Sequence, residues 1–259
     1  MAEGLKINIR GRGPDLVMLH GWAMHSGIWG GLVDLLAEQF RVHLVDLPGH
    51  GVNLHTPLST NLNDVADLIL SELPPAMWIG WSLGGLITLA AALRHPARVK
   101  KAMLVAATPC FSRSPDWDCG VDAVARQAFS DALENDFEGS LNKFWLQCFG
   151  ADLTDESLHR LGKTSVLDHL PSKNTMLTGL HLLYGSNLLS GLRSCDVPTL
   201  FVGGTRDRTI KPESFVRAAE LMPAADSRLI QAAGHAPFIS HQDRFMDIIS
   251  KFYKGDLNA

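Results

Sequence analysis

Cysteine is scarce and placed for neither metal nor redox chemistry. The four residues, Cys110, Cys119, Cys148 and Cys195, form no Cys-x-x-Cys pair and no zinc-ligand spacing. Long apolar runs are missing too, since none reaches the roughly 18 residues that a membrane span requires. The N-terminal Met1-Ala2-Glu3-Gly4-Leu5-Lys6 lacks a basic segment followed by an apolar one, so no secretory signal is expected. A surplus of positive charge is also absent. Lys and Arg number 23 against 27 Asp and Glu, and the net charge of −4 gives no footprint for nucleic acid. No His-x-x-x-His falls on a helical stretch. Gly11-Arg12-Gly13 lacks the third glycine and the following helix of a phosphate loop. No metal and no cofactor is therefore expected, and a monomeric cytoplasmic enzyme is the default. What the chain does have is apolar content. Of its 259 residues 46% are hydrophobic and 19% charged, enough for a globular protein with a sizeable core.

The apolar pattern alternates between strand and helix. Residues 5–10 and 15–20 read as strands on either side of Gly11-Arg12-Gly13-Pro14, joined as a hairpin or a plain turn. A helix is expected over about 27–39, a strand over 41–47, and a helix over 62–73 stopped by Pro74-Pro75. A strand at 76–79 leads through Gly80-Trp81-Ser82-Leu83-Gly84-Gly85 into an Ala- and Leu-rich helix to Leu93. After a strand at 99–107 the alternation stops. Residues 112–190 carry helical patterns at 121–133, 137–148, 155–161 and 175–183. It resumes with a strand at 198–204, a helix opened by Pro212, a strand at 227–231 and a closing helix over about 241–254. The expected fold class is α/β, a mostly parallel sheet with helices on both faces. Residues 1–111 and 191–259 would form the core, and 112–190 a helical lid.

Chemistry gathers on the loops that follow strands. Gly-x-Ser-x-Gly arises by chance in roughly one such glycine-rich chain in ten, but between a strand and a helix it marks a nucleophile elbow. In such a sheet the catalytic groups sit past the carboxyl ends of strands. Three loops qualify: Ser82, Asp207 within Thr205-Arg206-Asp207-Arg208, and His235 within Ala233-Gly234-His235-Ala236-Pro237. Ser82 would be the nucleophile, His235 its general base and then acid, and Asp207 the group that orients the imidazole. A plainer reading of Asp207 pairs it with Arg206 or Arg208. The backbone N–H groups of Trp22 and Leu83 are the expected oxyanion donors. His20 reads as a brace for the Asp46-Leu47-Pro48-Gly49-His50-Gly51 loop rather than as a catalyst.

Together these segments resemble the α/β-hydrolase superfamily across the whole core. Gly80-Trp81-Ser82-Leu83-Gly84-Gly85, Pro109-Cys110-Phe111-Ser112 and His235-Ala236-Pro237-Phe238-Ile239-Ser240-His241 resemble one subfamily more closely. It comprises the carboxylesterases that act on pimeloyl-acyl-carrier-protein methyl ester in biotin synthesis. The resemblance implies hydrolysis of that ester to methanol and the free pimeloyl carboxylate, with acyl carrier protein as partner. It also implies substrate contacts at Trp22, Ser82, Leu83, Lys143, Phe144, Trp145, Leu146, Gln147 and His235. An apolar channel for the acyl chain would be lined by Phe111, Phe144, Trp145 and Leu146, unless these side chains only pack lid onto core. In that family, lid arginines face the acidic carrier. Here the stretch from Asp136 to Arg160 holds Glu138, Asn142, Asp155 and His159, with only Lys143 and Arg160 basic. Docking would then weaken with salt and on reversal of Arg160 or Lys163.

Other readings share the triad: a general short-chain carboxylesterase, or a hydrolase of carbon–carbon bonds. A non-catalytic ligand receptor of the same fold is a third, opposed by the complete Ser82, Asp207, His235 set.

Overall fold

The computed structural model describes residues 4–149 and 170–255. Seven strands form one sheet: β1 (Ile7–Arg10), β2 (Asp15–Leu19), β3 (Arg41–Val45), β4 (Ala76–Trp81), β5 (Val99–Val105), β6 (Thr199–Gly204) and β7 (Ala225–Ile230). Their order is β1-β3-β2-β4-β5-β6-β7. Only the β1–β3 pairing is antiparallel. The Gly11–Pro14 segment is thus a plain turn rather than a hairpin, since β1 leaves its sequence neighbour and pairs with β3, Ile7 opposite Val45. The inner strands read DLVML, AMWIGW and TLFVGG and are buried over nearly their whole length, as a sheet covered on both faces requires.

The described helices are α1 (Leu32–Ala37), α2 (Leu62–Ser71), α3 (Leu83–Arg94), α4 (Ala123–Asn135), α5 (Phe137–Phe149), α6 (Lys173–Gly185), α7 (Glu213–Glu220), the single turn α8 (Pro237–Ser240), and α9 (Gln242–Lys254). Among the described residues none is long and apolar enough to cross a membrane. The period of two along β4 divides the core. Trp78 enters one cluster with Leu86, Ile87, Phe201 and Phe215, whereas Ile79 and Trp81 enter the other with Trp29, Leu36, Phe238 and Phe245. Local chemistry sets the helix starts: the side chains of Asn61, Asp122 and Ser172 accept N–H groups of α2, α4 and α6.

The helix expected at 27–39 is broken. A 3₁₀ turn, Ser26–Trp29, precedes α1, because Gly30 turns to φ +49° between them. Pro212 caps α7 rather than opening it. Between β5 and β6 the described residues form α4, α5 and α6. The two stems of this segment meet, with Leu188 donating its N–H to the Pro109 carbonyl at 3.0 Å and Cys110 bridged to Asn187. The helix expected at 155–161, and Arg160 and Lys163, lie outside the described residues.

One glycine governs how close α3 comes to β2. A Cβ on Gly84 would lie 2.5 Å from the carbonyl oxygens of both Leu19 and His20. Both neighbours are backbone and cannot rotate away. Gly84→Ala is therefore expected to destabilise the fold by about 1–3 kcal/mol or more, read by urea unfolding. Unchanged stability would mean that the end of β2 yields freely.

Candidate active site

Strand β4 passes into α3 through a single residue. Ser82 has φ +53° and ψ −113°, a conformation that side chains other than glycine rarely take. Its N–H still follows the sheet, donating to the Val105 carbonyl at 2.9 Å, while its carbonyl already accepts the Leu86 N–H at 3.0 Å. Strand and helix bonding therefore meet at one residue, and the chain reverses without a loop. Gly80 makes this possible, because a Cβ there would collide with the Gly84 carbonyl and the Thr88 hydroxyl. The other non-glycine residues with positive φ among those described are Ala23, Ala106 and Ala232. They follow β2, β5 and β7, so strain collects along the carboxyl edge of the sheet, around Ser82.

Asp207 follows β6 and His235 follows β7. The Asp207 carboxylate is held by the N–H groups of Thr209 and Ile210 at 2.8 and 3.0 Å on Oδ1. Its Oδ2 accepts the His235 Nδ1–H at 2.8 Å, and both side chains are fully enclosed. A carboxylate can only accept, so Nδ1 carries the proton of this bond. Nε2 is buried and has no hydrogen-bond partner. The two loops are sewn together by Arg206 N–H to the Ala233 carbonyl and by Ala232 N–H to Thr205 Oγ1, each at 2.9 Å. Arg206 and Arg208 are exposed and make no ion pair with Asp207, which removes the plainer pairing weighed from sequence.

The loop after β2 is built around neutral histidines. His20 donates Nδ1–H to the Gly21 carbonyl at 2.8 Å, and its Nε2 accepts the Leu47 N–H at 2.9 Å. It thus braces the Asp46–Gly51 loop. His50 lies 5.1 Å from it, ring to ring, and donates to the Pro48 carbonyl at 2.8 Å. Burial lowers the pKa of His20 to about 4 and that of His50 to about 3. Asp46 accepts N–H groups from Ser26 at 2.6 Å and Val52 at 2.9 Å. Burial opposes its ionisation, but His20 and these two donors outweigh burial and hold its carboxyl below the usual range.

Trp22, on the same loop, is committed to the segment above it. Its Nε1–H donates to the Met176 carbonyl of α6 at 2.8 Å, and Phe144 stands edge-on to its ring at 4.9 Å, with Phe129 at 5.7 Å. A Cβ on Gly179 would lie 2.7 Å from the indole, so a glycine is required where α6 crosses it. The indole being used in this way, only the backbone N–H of Trp22 is left as an anion donor. Leu83 is the first residue of α3, where N–H groups have no intrahelical partner.

The five lid positions separate on α5. Phe144 meets Trp22, Trp145 packs half-buried against both core clusters, and Gln147 donates to the Arg208 carbonyl at 2.9 Å, on the Asp207 loop. Lys143 and Leu146 are exposed, Leu146 by 65%, and the described structure does not bring them to Ser82. Phe111 is buried in the core. Sequence reasoning missed Phe129, whose position in α4 carries no signal beyond helical spacing. A cleft of about 800 Å³ lies beside the Asp207 loop, lined by Arg113, Val121, Arg208, Ile210 and Arg217, but Ser82 and His235 are not among its walls. All four cysteines are buried, and burial raises the thiol pKa of Cys110, Cys148 and Cys195. Enclosed thiols raised in this way make poor nucleophiles.

The histidine brace predicts acid lability. The unfolded chain takes up protons at His20 and His50 below about pH 6.5, whereas the native state refuses them until about pH 4 and 3. Stability is therefore full above pH 6.5 and falls as pH drops towards 4, by on the order of 3 kcal/mol for each histidine. Urea unfolding at pH 7 and pH 4.5 reads the loss, and His50→Asn should flatten it. An unchanged slope in that variant would remove His50 from the account.

Comparison with known proteins follows from this geometry. Residues 16–248 match the alpha/beta hydrolase family. The chain is 39% identical over 249 residues to the pimeloyl-[acyl-carrier protein] methyl ester esterase of Stenotrophomonas maltophilia (strain K279a), covering 96% of each. It is 38% identical over 249 residues to the protein of the same name from Xylella fastidiosa (strain M23), covering 95% of this chain and 97% of that one. Among solved structures, a hydrolase from Oleispira antarctica superposes with a TM-score of 0.86 at 21% identity, covering 96% of this chain and 94% of that one. An esterase from Exiguobacterium antarcticum superposes with 0.85 at 22%, covering 96% and 95%. These two share the fold.

Proposed function

The chain belongs to the alpha/beta hydrolase family, and we propose that it is a serine carboxylesterase that hydrolyses the methyl ester of pimeloyl-acyl carrier protein, the step that the sequence resemblance places in biotin synthesis. The observation that carries the chemistry is the buried Asp207–His235 pair, 2.8 Å between Oδ2 and Nδ1, with Nε2 unpartnered and a serine at the elbow between β4 and α3. The substrate rests on the names of relatives that match along nearly the whole chain.

In this reading Ser82 Oγ attacks the ester carbonyl as its proton passes to His235 Nε2. Asp207 holds the imidazole and stabilises the imidazolium. The tetrahedral oxyanion is received by the N–H groups of Leu83 and Trp22. The carbon–oxygen bond to methanol breaks, and His235 returns the proton to the departing alkoxide. Water then attacks the acyl-serine with His235 again as base, releasing the pimeloyl carboxylate and restoring Ser82. Residues 112–190 act as the lid. The acyl chain lies along Trp22, Phe144 and Trp145, while Lys143 and Leu146 face outward, where the carrier docks. Gln147 serves by tying α5 to the Asp207 loop.

The test is methanol release from pimeloyl-acyl-carrier-protein methyl ester, compared with turnover of p-nitrophenyl acetate. Ser82→Ala is expected to abolish both, and His235→Ala nearly so. Asp207→Asn is expected to lower kcat by about 10⁴-fold through the wrong imidazole tautomer. Fast cleavage of the small ester alone would keep the triad and make the protein a general esterase. Near-normal rates in the Asp207 variant would mean that another acid orients His235.

A further inference from the structure

The chain has six tryptophans. In four of them, Trp29, Trp78, Trp117 and Trp145, the indole N–H is buried without a hydrogen-bond partner. The other two donate to backbone carbonyls far away in sequence: Trp22 to Met176 and Trp81 to His235, each at 2.8 Å. A buried indole N–H ordinarily finds an acceptor. That the paired ones are those flanking Ser82 and the loop after β2 sets these two apart, and Trp81 has no place in the mechanism above.

We propose that Trp81 is a positioning residue that holds the general base, the oxyanion loop and the nucleophile in register; this rests on reading Ser82 and His235 as the catalytic pair. Trp81 ends β4 and is covalently joined to Ser82. Its strand position is fixed by pairing with Val105 of β5. From there the indole N–H reaches the main chain of His235. The bond from Nδ1 to Asp207 fixes the imidazole at one atom, and the ring can still travel with its loop. That loop is tied to the Asp207 loop at Ala232 and Ala233, upstream of His235, and a glycine lies between those bonds and the imidazole. A second anchor on the His235 carbonyl determines where Nε2 falls relative to Ser82. The ring of Trp81 also lies 5.7 Å from the imidazole and stands edge-on to Phe238 at 5.3 Å. On another side it meets the oxyanion loop, where a Cβ on Gly21 would come within 2.8 Å of the indole. One side chain therefore touches the His235 loop and the oxyanion loop while adjoining Ser82. Misplacement of reacting groups by about 1 Å can lower a rate a hundredfold.

The experiment replaces Trp81 by phenylalanine and, separately, by 3-benzothienylalanine, which keeps the bicycle and replaces N–H by sulfur. Trp78→Phe is the control: the same change on the same strand, with no hydrogen bond to lose. On p-nitrophenyl acetate, both changes at Trp81 are expected to lower kcat ten- to a hundredfold with KM within twofold, while Trp78→Phe stays within twofold of the parent. The low-field Nδ1 proton resonance of His235 is expected to shift or broaden in the Trp81 variants alone. Parental kcat in the benzothienyl variant, or an equal loss in Trp78→Phe at equal Tm, overturns the proposal. The small ester makes the outcome independent of the carrier-bound substrate. If the parent shows no Ser82-dependent turnover, the functional reading fails, and the His235 resonance still decides whether Trp81 positions the imidazole.

Discussion

The constraint behind this structure is the close approach of α3 to the sheet at the one-residue turn after β4. Ser82 takes strand hydrogen bonding on its N–H and helix hydrogen bonding on its carbonyl. This works only because Gly80 and Gly84 carry no Cβ where backbone and Thr88 crowd in. The crowding has two effects. It holds the serine at φ +53°, in a strained state that the surrounding sheet and helix over-determine. It also brings the N-terminus of α3, with its unpaired N–H groups, against the end of β2 and the His20-Gly21-Trp22 loop. On the proposed reading, a nucleophile and an anion-binding corner therefore arise from the same packing event.

The three enclosed histidines at the carboxyl ends of the strands divide by their partners. His20 and His50 are enclosed and bonded to backbone groups, with no carboxylate bonded to either ring, so burial keeps them neutral and they serve as rigid spacers between loops. His235 is equally enclosed, and its Nε2 is unpartnered as that of His50 is, but it faces a carboxylate at Nδ1. On the proposed reading, that difference separates a brace from a base. Enclosure excludes water from the Asp207–His235 pair, and in a water-poor site an oriented carboxylate acts more strongly on the imidazole.

The two tryptophan N–H bonds play parallel parts at opposite sides of the site. Trp22 joins the loop after β2 to α6, and Trp81 joins β4 to the His235 loop. Each spans 154 residues of sequence and ends on a main-chain oxygen. Backbone acceptors leave no trace in residue identity, so neither bond could be anticipated from the chain. The same holds for the amides of Thr209 and Ile210 that hold Asp207.

The amino-acid sequence by itself determined the alternation of strands and helices, the elbow at Ser82 and the loops carrying Asp207 and His235. These follow from local causes: apolar period, glycine where the backbone is crowded, and proline or glycine at element ends. Local pattern failed where a neighbour decided. Residues 27–39 carry helical spacing, yet Gly30 turns the chain and divides the helix. The Gly11–Pro14 turn looked able to make a hairpin, yet β1 found β3. Tertiary structure alone decided that Asp207 faces His235 rather than its flanking arginines, that Phe144 meets Trp22, and that Leu146 points to solvent. The physical reason is range. Periodicity and turn chemistry act within a few residues, whereas these pairings join loops and helices far apart in the chain, which only the assembled sheet and the helices stacked on it bring together.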